Sequence, residues 1–137
     1  KSVKGNILLN MGSIDHQKGN LTKAFDFYNR ALAIAEIIGD KSIMSSVFNA
    51  MGGFFMDKDD PDMALGYLIR SLEISEEIDD NFGKVKCLGN IGVLYARKAD
   101  HDKALEYYNK ALTEDKNFAF MHYTLSYLHM GDDAVDG

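Results

Sequence analysis

The chain has 137 residues, of which 46% are hydrophobic and 26% charged, and its formal net charge is −6. This length is typical of one domain with a buried core, and the negative charge disfavours a nucleic-acid partner because phosphates would be repelled. The single cysteine, Cys87, excludes an internal disulfide and a zinc site of the Cys/His type. The longest charge-free runs, 42–56 and 117–131, are too short and too polar to cross a membrane. We therefore expect a cytoplasmic protein, and because the sequence starts at Lys1 we expect a piece of a longer chain.

A period of 40 residues runs through the sequence. The columns that stay identical in all three copies are Gly12, Gly52 and Gly92; Lys18, Lys58 and Lys98; Ala24, Ala64 and Ala104; and Leu32, Leu72 and Leu112. Such repetition is typical of a stacked-repeat architecture. We expect a single domain over residues 1–137, with repeats at about 1–40, 41–80 and 81–116 and a partial fourth repeat at 117–137.

Apolar residues at helical spacing predict two helices in each copy. In the second copy, Asp60 is a suitable N-cap and Pro61 stands at the first helical position, while Gly39 closes a helix in the first copy. Short loops make neighbouring helices antiparallel. The predicted fold is all-α, with no strand and seven helices at about 5–18, 21–38, 42–57, 61–78, 82–98, 102–114 and 117–130.

The repeated glycines lie inside predicted helices, where each costs about 1 kcal/mol relative to alanine. Close approach of two helix backbones would compensate for that cost. We expect the alanine column of the second helix to face the glycines, with large residues such as Tyr95 and Tyr108 beside the contact. The alanines concerned are Ala24, Ala64 and Ala104.

The third copy shows the most complete motif: Leu88, Ile91-Gly92, Tyr95, Ala104, Tyr108 and Ala111. This pattern resembles the tetratricopeptide repeat (TPR). The resemblance implies a right-handed α-solenoid of antiparallel helix pairs with about three and a half repeats. The long period is similar to that of kinesin light chains, Leu-Gly-Asn-repeat adaptors and bacterial TPR sensors and regulators. Two features depart from the family pattern: Asp15 replaces a large residue, and the closing proline is absent from every copy.

No spacing in the sequence supports catalysis or a metal. The acidic loop that begins at Asp57 has Asp62 and Leu68 where a calcium loop needs glycine and glutamate. His122 and His129 are seven residues apart, about 10.5 Å along a helix, which is too far to share one metal. We expect no enzymatic activity and no cofactor.

The TPR resemblance implies a concave groove lined by the first helix of each repeat. A side-chain amide offers both a donor and an acceptor, so asparagines in this groove would hold an extended peptide by its backbone. The alternative is that these asparagines bond neighbouring helices or water, and that the aromatic residues serve ordinary packing. The expected groove residues are Asn10, Ser13, Asn49, Gly53, Met56, Lys86, Asn90, Val93, Arg97, Tyr123 and Tyr127.

Chaperone-binding members of the family carry a basic clamp for a carboxylate tail. Lys86 matches one clamp column, but Leu9, Ser13, Ala50 and Asn90 depart from the others. We therefore expect a protein or peptide partner other than a chaperone tail.

The last predicted helix is apolar on nearly every side, which isolated domains rarely tolerate. We expect it to form a homodimer or to take up a ligand; the alternative is a monomer whose native continuation is missing. The second functional hypothesis is accordingly an oligomerisation or sensor segment of a larger, bacterial signalling protein. The residues predicted for self-association are Phe118, Phe120, Tyr123, Tyr127 and Met130.

Overall fold

A computed structural model describes residues 3–114, and within this range it contains six α-helices and no strand. The helices begin and end within two residues of the predicted positions. The predicted seventh helix, 117–130, lies outside the described residues. The six helices are α1 (Val3–Gln17), α2 (Leu21–Ile38), α3 (Lys41–Asp57), α4 (Pro61–Glu77), α5 (Asn81–Arg97) and α6 (His101–Glu114).

Local signals set the helix ends as the sequence predicts. The Asp60 carboxylate accepts a hydrogen bond from the backbone N–H of Met63 at 3.2 Å, and Pro61 is the first residue of α4. Asp40 caps α3 in the same way, through the N–H of Ile43 at 3.1 Å. Gly39 has a φ of 72°, and this left-handed conformation ends α2.

The chain divides into two compact units, residues 1–80 and 81–137. In the first unit α1 packs on α2 and α3 packs on α4, while α2 also packs on α3 and α1 touches α3. In the second unit α5 packs on α6. The prediction of antiparallel helix pairs in an all-α solenoid of the TPR type is confirmed.

The repeated glycines make room for a large side chain of the partner helix. A Cβ atom on Gly52 would lie 2.6 Å from Leu68 Cδ2, and one on Gly92 would lie 2.7 Å from Tyr108 Cε1. Gly12 has the same relation to Tyr28, also at 2.7 Å.

The nearest atoms belong mainly to larger residues that lie close to the alanine column, among them the expected Tyr108. The atoms nearest to the glycines belong to the residue one helical turn after each alanine, because that larger side chain reaches across to the first helix. At Gly52 the three nearest atoms also include the carbonyl oxygen of Ala64 at 3.4 Å.

A buried network of three serines joins α3 to α4. The Ser45 hydroxyl donates to the Ser71 carbonyl oxygen at 3.0 Å, and the Ser71 hydroxyl donates back to the Ser45 carbonyl oxygen at 2.7 Å. The Ser75 hydroxyl lies 2.9 Å from that of Ser45. All three residues are at most 4% exposed, so this pairing satisfies polar groups that would otherwise be costly to bury.

A search of the described residues finds no helix with both the length and the apolar character needed to cross a membrane.

Candidate functional site

The neighbouring first helices α1 and α3 are joined at their C-terminal ends. His16 Nε2 lies 2.7 Å from Asp57 Oδ2, and His16 Nδ1 lies 3.4 Å from the Tyr28 hydroxyl. The imidazole ring also meets the Phe54 ring edge-on, with centroids 5.5 Å apart. These contacts fix the spacing of α1 and α3, the two helices that carry the predicted groove residues of the first unit.

Tyr28 is the buried member of this cluster, with only 1% of its surface exposed. Burial raises the pKa of its hydroxyl above the ordinary value, the hydrogen bond with Ser13 acts to lower it, and the negative charge of Asp57 raises it further. Tyr28 therefore remains a neutral hydroxyl at physiological pH. Ser13, a predicted groove residue, is half-buried on α1.

The side chains of Asp57, His16 and Tyr28 contact one another in the order of an acid–base relay. The hydroxyl at its end, however, is buried and has a raised pKa, which makes it a poor nucleophile. Within residues 3–114 no group of three or more His, Cys, Asp or Glu side chains is placed to hold a metal. The His16 contacts thus connect α1 with α2 and α3.

The predicted groove residues of the first unit lie on α1 and α3. Asn10 is exposed on α1, and Asn49, Gly53 and Met56 are half-buried on one face of α3. A Cβ atom added to Gly53 would meet nothing within 4 Å, so the surface of α3 is open there. Asn10 and Asn90 occupy equivalent positions of the 40-residue repeat, and Asn49 lies one residue before the equivalent position on α3. The Asn49 side chain therefore leaves its helix about 100° away from the direction of the other two.

The predicted residues of the second unit lie on one face of α5. Their spacing of four, three and four residues places Lys86, Asn90, Val93 and Arg97 in one line along the helix. Lys86 and Arg97 are exposed, while Asn90 and Val93 are half-buried. The Lys86 ammonium lies 5.6 Å from the centre of the Phe82 ring, where a cation–π interaction holds it.

The remaining predicted residues lie outside the described part of the chain. They are Phe118, Phe120, Tyr123, Tyr127 and Met130.

Sequence reasoning missed two polar clusters, the His16–Asp57 pair and the buried serines of α3 and α4. The sequence does contain a signal for these clusters, because their residues differ in type from the residues at the equivalent positions of the other repeats. Ser45 stands in a column with Gly5 and Val85, and no other copy has a hydroxyl there. His16 and Asp57 likewise have no counterpart of the same type in the other copies.

Antiparallel helix pairs that recur every 40 residues, each with a glycine under a large side chain of the partner helix, define a helical-repeat scaffold. Comparison with family models agrees. A model described as tetratricopeptide repeat matches residues 43–113, and a second with the same description matches residues 5–37. The first match spans more than half of the chain, so the chain belongs to the tetratricopeptide repeat family, whose repeats mediate protein–protein interactions and are not catalytic.

Solved structures that are similar to this chain include BtubC and a domain of stress-induced protein-1. The crystal structure of BtubC (BKLC) from P. vanneervenii has a TM-score of 0.73 and 25% sequence identity over 82% of this chain. The present chain spans only 46% of BtubC. The N-terminal domain of stress-induced protein-1 (STI-1) from C. elegans has a TM-score of 0.67, covers 82% of this chain and 85% of its own, and at 15% identity shows the fold alone. No curated protein sequence gives a significant match.

Proposed function

We propose that the chain is a non-enzymatic scaffold that binds an extended peptide segment of a protein partner along its first helices. The observation that carries this proposal is the surface of α3, where open space at Gly53 lies between Asn49 and Met56 on one helical face. Asn10 on α1, the helix that touches α3, adds a second amide, and this one is exposed.

The chemistry of this face fits a peptide backbone. Each amide side chain can donate to a carbonyl oxygen and accept from an N–H of the same peptide unit. The missing side chain at Gly53 lets a main chain approach the helix closely. Met56 supplies a flexible apolar contact that adapts to different side chains.

The face of α5 gives the proposed partner a charge preference. Lys86 and Arg97 are exposed at the two ends of a line that also contains Asn90 and Val93. A segment with an acidic residue near one end would gain from either cation. In this proposal each unit contributes its own binding face, that of α1 and α3 in the first unit and that of α5 in the second.

A displayed library of random peptides, selected on the purified chain, tests the groove. The selected peptide is synthesised with a fluorophore, and its dissociation constant is measured by anisotropy. Asn49→Ala and Asn90→Ala should each weaken binding by about 1–3 kcal/mol, the cost of leaving a buried partner unpaired. The matched controls Asn29→Ala and Asn109→Ala, at exposed positions of second helices, should leave binding unchanged.

Two results would contradict this proposal. One is a selected peptide whose affinity is insensitive to both groove asparagines. The other is binding that collapses as salt rises, since screening acts on exposed charges and would assign the affinity to Lys86 and Arg97 instead.

A second function, self-association, is favoured by the apolar composition of residues 117–130. It would make the chain an oligomerisation or sensor segment of a larger signalling protein. Sedimentation velocity tests it on the wild type and on a Phe120→Asp, Tyr127→Asp double variant. A wild type that stays monomeric at high concentration would make self-association wrong.

A further inference from the structure

Helix α4 carries a small pocket on its outer side, with a volume of about 200 Å³. A Cβ atom added to Gly66 would meet nothing within 4 Å, so the missing side chain of this glycine leaves the space open. Tyr67 is half-buried, and the other lining residues are exposed. The described residues that line this α4 pocket are Asp62, Met63, Gly66, Tyr67 and Arg70.

The equivalent face of the other two second helices is exposed and charged. Both α2 and α6 have a lysine at the position of Met63 and an acidic residue at the position of Gly66. Charged residues are rarely buried, so this face of a second helix points to solvent and is not the seat of a neighbouring helix. Of the three repeats, only the second replaces these charges. The exposed residues concerned are Lys23, Asp26, Lys103 and Glu106.

The glycine also removes the carboxylate that the equivalent cations have. The Arg30 guanidinium lies 3.8 Å from the carboxylate of Asp26, four residues earlier, and the third repeat has the same pairing at 3.3 Å. In the second repeat Gly66 stands where that carboxylate would be. Within residues 3–114 no carboxylate pairs with Arg70.

Two aromatic rings hold the Arg70 guanidinium beside the pocket. Its Cζ atom lies 5.5 Å from the centre of the Phe48 ring and 5.9 Å from the centre of the Tyr67 ring. The two rings stack on each other with centroids 6.0 Å apart, and Phe48 is only 7% exposed. The cation is therefore positioned in advance, which lowers the entropy that it loses when it pairs with an anion.

The size and charge of the pocket select its occupant. Small-molecule sites usually enclose about 300–1,000 Å³, so the smaller α4 pocket suits a single side chain. The Arg70 guanidinium offers two parallel N–H donors to a carboxylate. Met63 supplies an adaptable apolar wall for the methylenes that carry it. Asp62 lies eight residues before Arg70, about 12 Å along the helix, and repels an acidic group at that end.

We infer that the α4 pocket binds one acidic side chain of a partner protein, with its carboxylate on Arg70. The carboxylate takes the place that Asp26 has on Arg30 inside the first repeat. Since the repeats of this family mediate protein–protein interactions, the acidic residue belongs to a protein partner. This site goes beyond the peptide-binding faces of the first helices, shares no residue with them and does not require them to bind.

Two parallel selections from one displayed library of random peptides give the first test. One selection uses the wild type, and the other uses Gly66→Glu, which returns the carboxylate of the other repeats and fills the pocket. Peptides that occupy the pocket should appear only with the wild type and should contain Asp or Glu. Gly66→Glu should fold at least as well as the wild type, because glutamate favours a helix and can pair with Arg70 four residues later. Circular dichroism checks this.

A peptide found only with the wild type is then synthesised with a fluorophore, and its dissociation constant is measured by anisotropy. Arg70→Gln should raise this constant about tenfold, and so should replacement of the acidic residue of the peptide by its amide. The two changes together should have no more effect than either alone, because both remove the same contact. The matched control Arg30→Gln, at a cation that already has its carboxylate, should bind like the wild type. Rising salt should weaken binding.

Three results would overturn this inference. One is a wild-type selection that yields no peptide absent from the Gly66→Glu selection. Another is a pocket peptide whose affinity is unchanged by Arg70→Gln. The third is a wild type that self-associates and loses this association in both variants, which would make the occupant a second copy of the chain. Asn49→Ala keeps the proposal for the first helices distinguishable, because it should weaken their peptides and leave pocket peptides unaffected.

Discussion

Two adjacent glycines of α3 make opposite predictions for the same substitution. A Cβ atom on Gly52 would lie 2.6 Å from Leu68 Cδ2 and 2.7 Å from its Cγ, about 1 Å closer than ordinary carbon contacts. Leu68 is fully buried, and the crowded Cγ is its branch point, so the side chain has no open space into which to move. A Cβ atom on Gly53 meets nothing within 4 Å.

The expected change in the free energy of unfolding is the sum of two opposing contributions. Alanine in a helix interior is favoured over glycine by about 1 kcal/mol, and this gain applies equally at both positions. Overpacking at Gly52 costs about 1–3 kcal/mol. Gly53→Ala should therefore stabilise the protein by about 1 kcal/mol, and Gly52→Ala should be about 1–3 kcal/mol less stable than Gly53→Ala.

Urea unfolding followed by circular dichroism measures this difference. The dependence of the unfolding free energy on urea concentration must be the same in both variants for the comparison to hold. A difference would indicate that unfolding is no longer two-state, which occurs in repeat proteins. A Leu68→Ala background gives a further check, because the extra cost at Gly52 should disappear there. If Gly52→Ala stabilises as much as Gly53→Ala, the close contact with Leu68 is refuted.

Three further predictions concern the polar clusters. Ser45→Ala should lower the free energy of unfolding in urea by about 1–3 kcal/mol, because two buried serine hydroxyls of α4 each lose a hydrogen-bond partner. The control Ser46→Ala, at an exposed neighbouring position, should change it little. A double-mutant cycle of His16→Ala and Asp57→Ala should give a coupling of about 0.2–1 kcal/mol, since the Asp57 carboxylate is half exposed; zero coupling would mean that the pair does not join α1 to α3. The free energy of unfolding of the wild type should fall as pH rises above the ordinary tyrosine pKa, because the unfolded chain releases the Tyr28 proton while the folded protein retains it. Tyr28→Phe should show a shallower fall with pH. Equal dependence on pH in the two proteins would contradict the raised pKa of Tyr28.

The sequence was sufficient to predict the helices because their signals are local. Pro61 and Gly39 each act through their own backbone conformation, and apolar spacing within a single helix reports which face is buried. The close helix contact at the repeated glycines was predicted, but the residues whose atoms lie nearest to Gly12 and Gly52 were not. Tyr28 and Leu68 reach the glycines because they lie one turn beyond the alanines, and side-chain reach is not encoded in spacing.

The polar clusters could not be predicted because they join residues that are far apart in the chain. Ser45 and Ser71 are 26 positions apart, and His16 and Asp57 are 41 apart. The repeat places such residues on facing helices, but it does not decide whether their side chains meet. The same limit applies to the groove: the pattern puts Asn49 and Asn90 on the first helices, while their use depends on a partner.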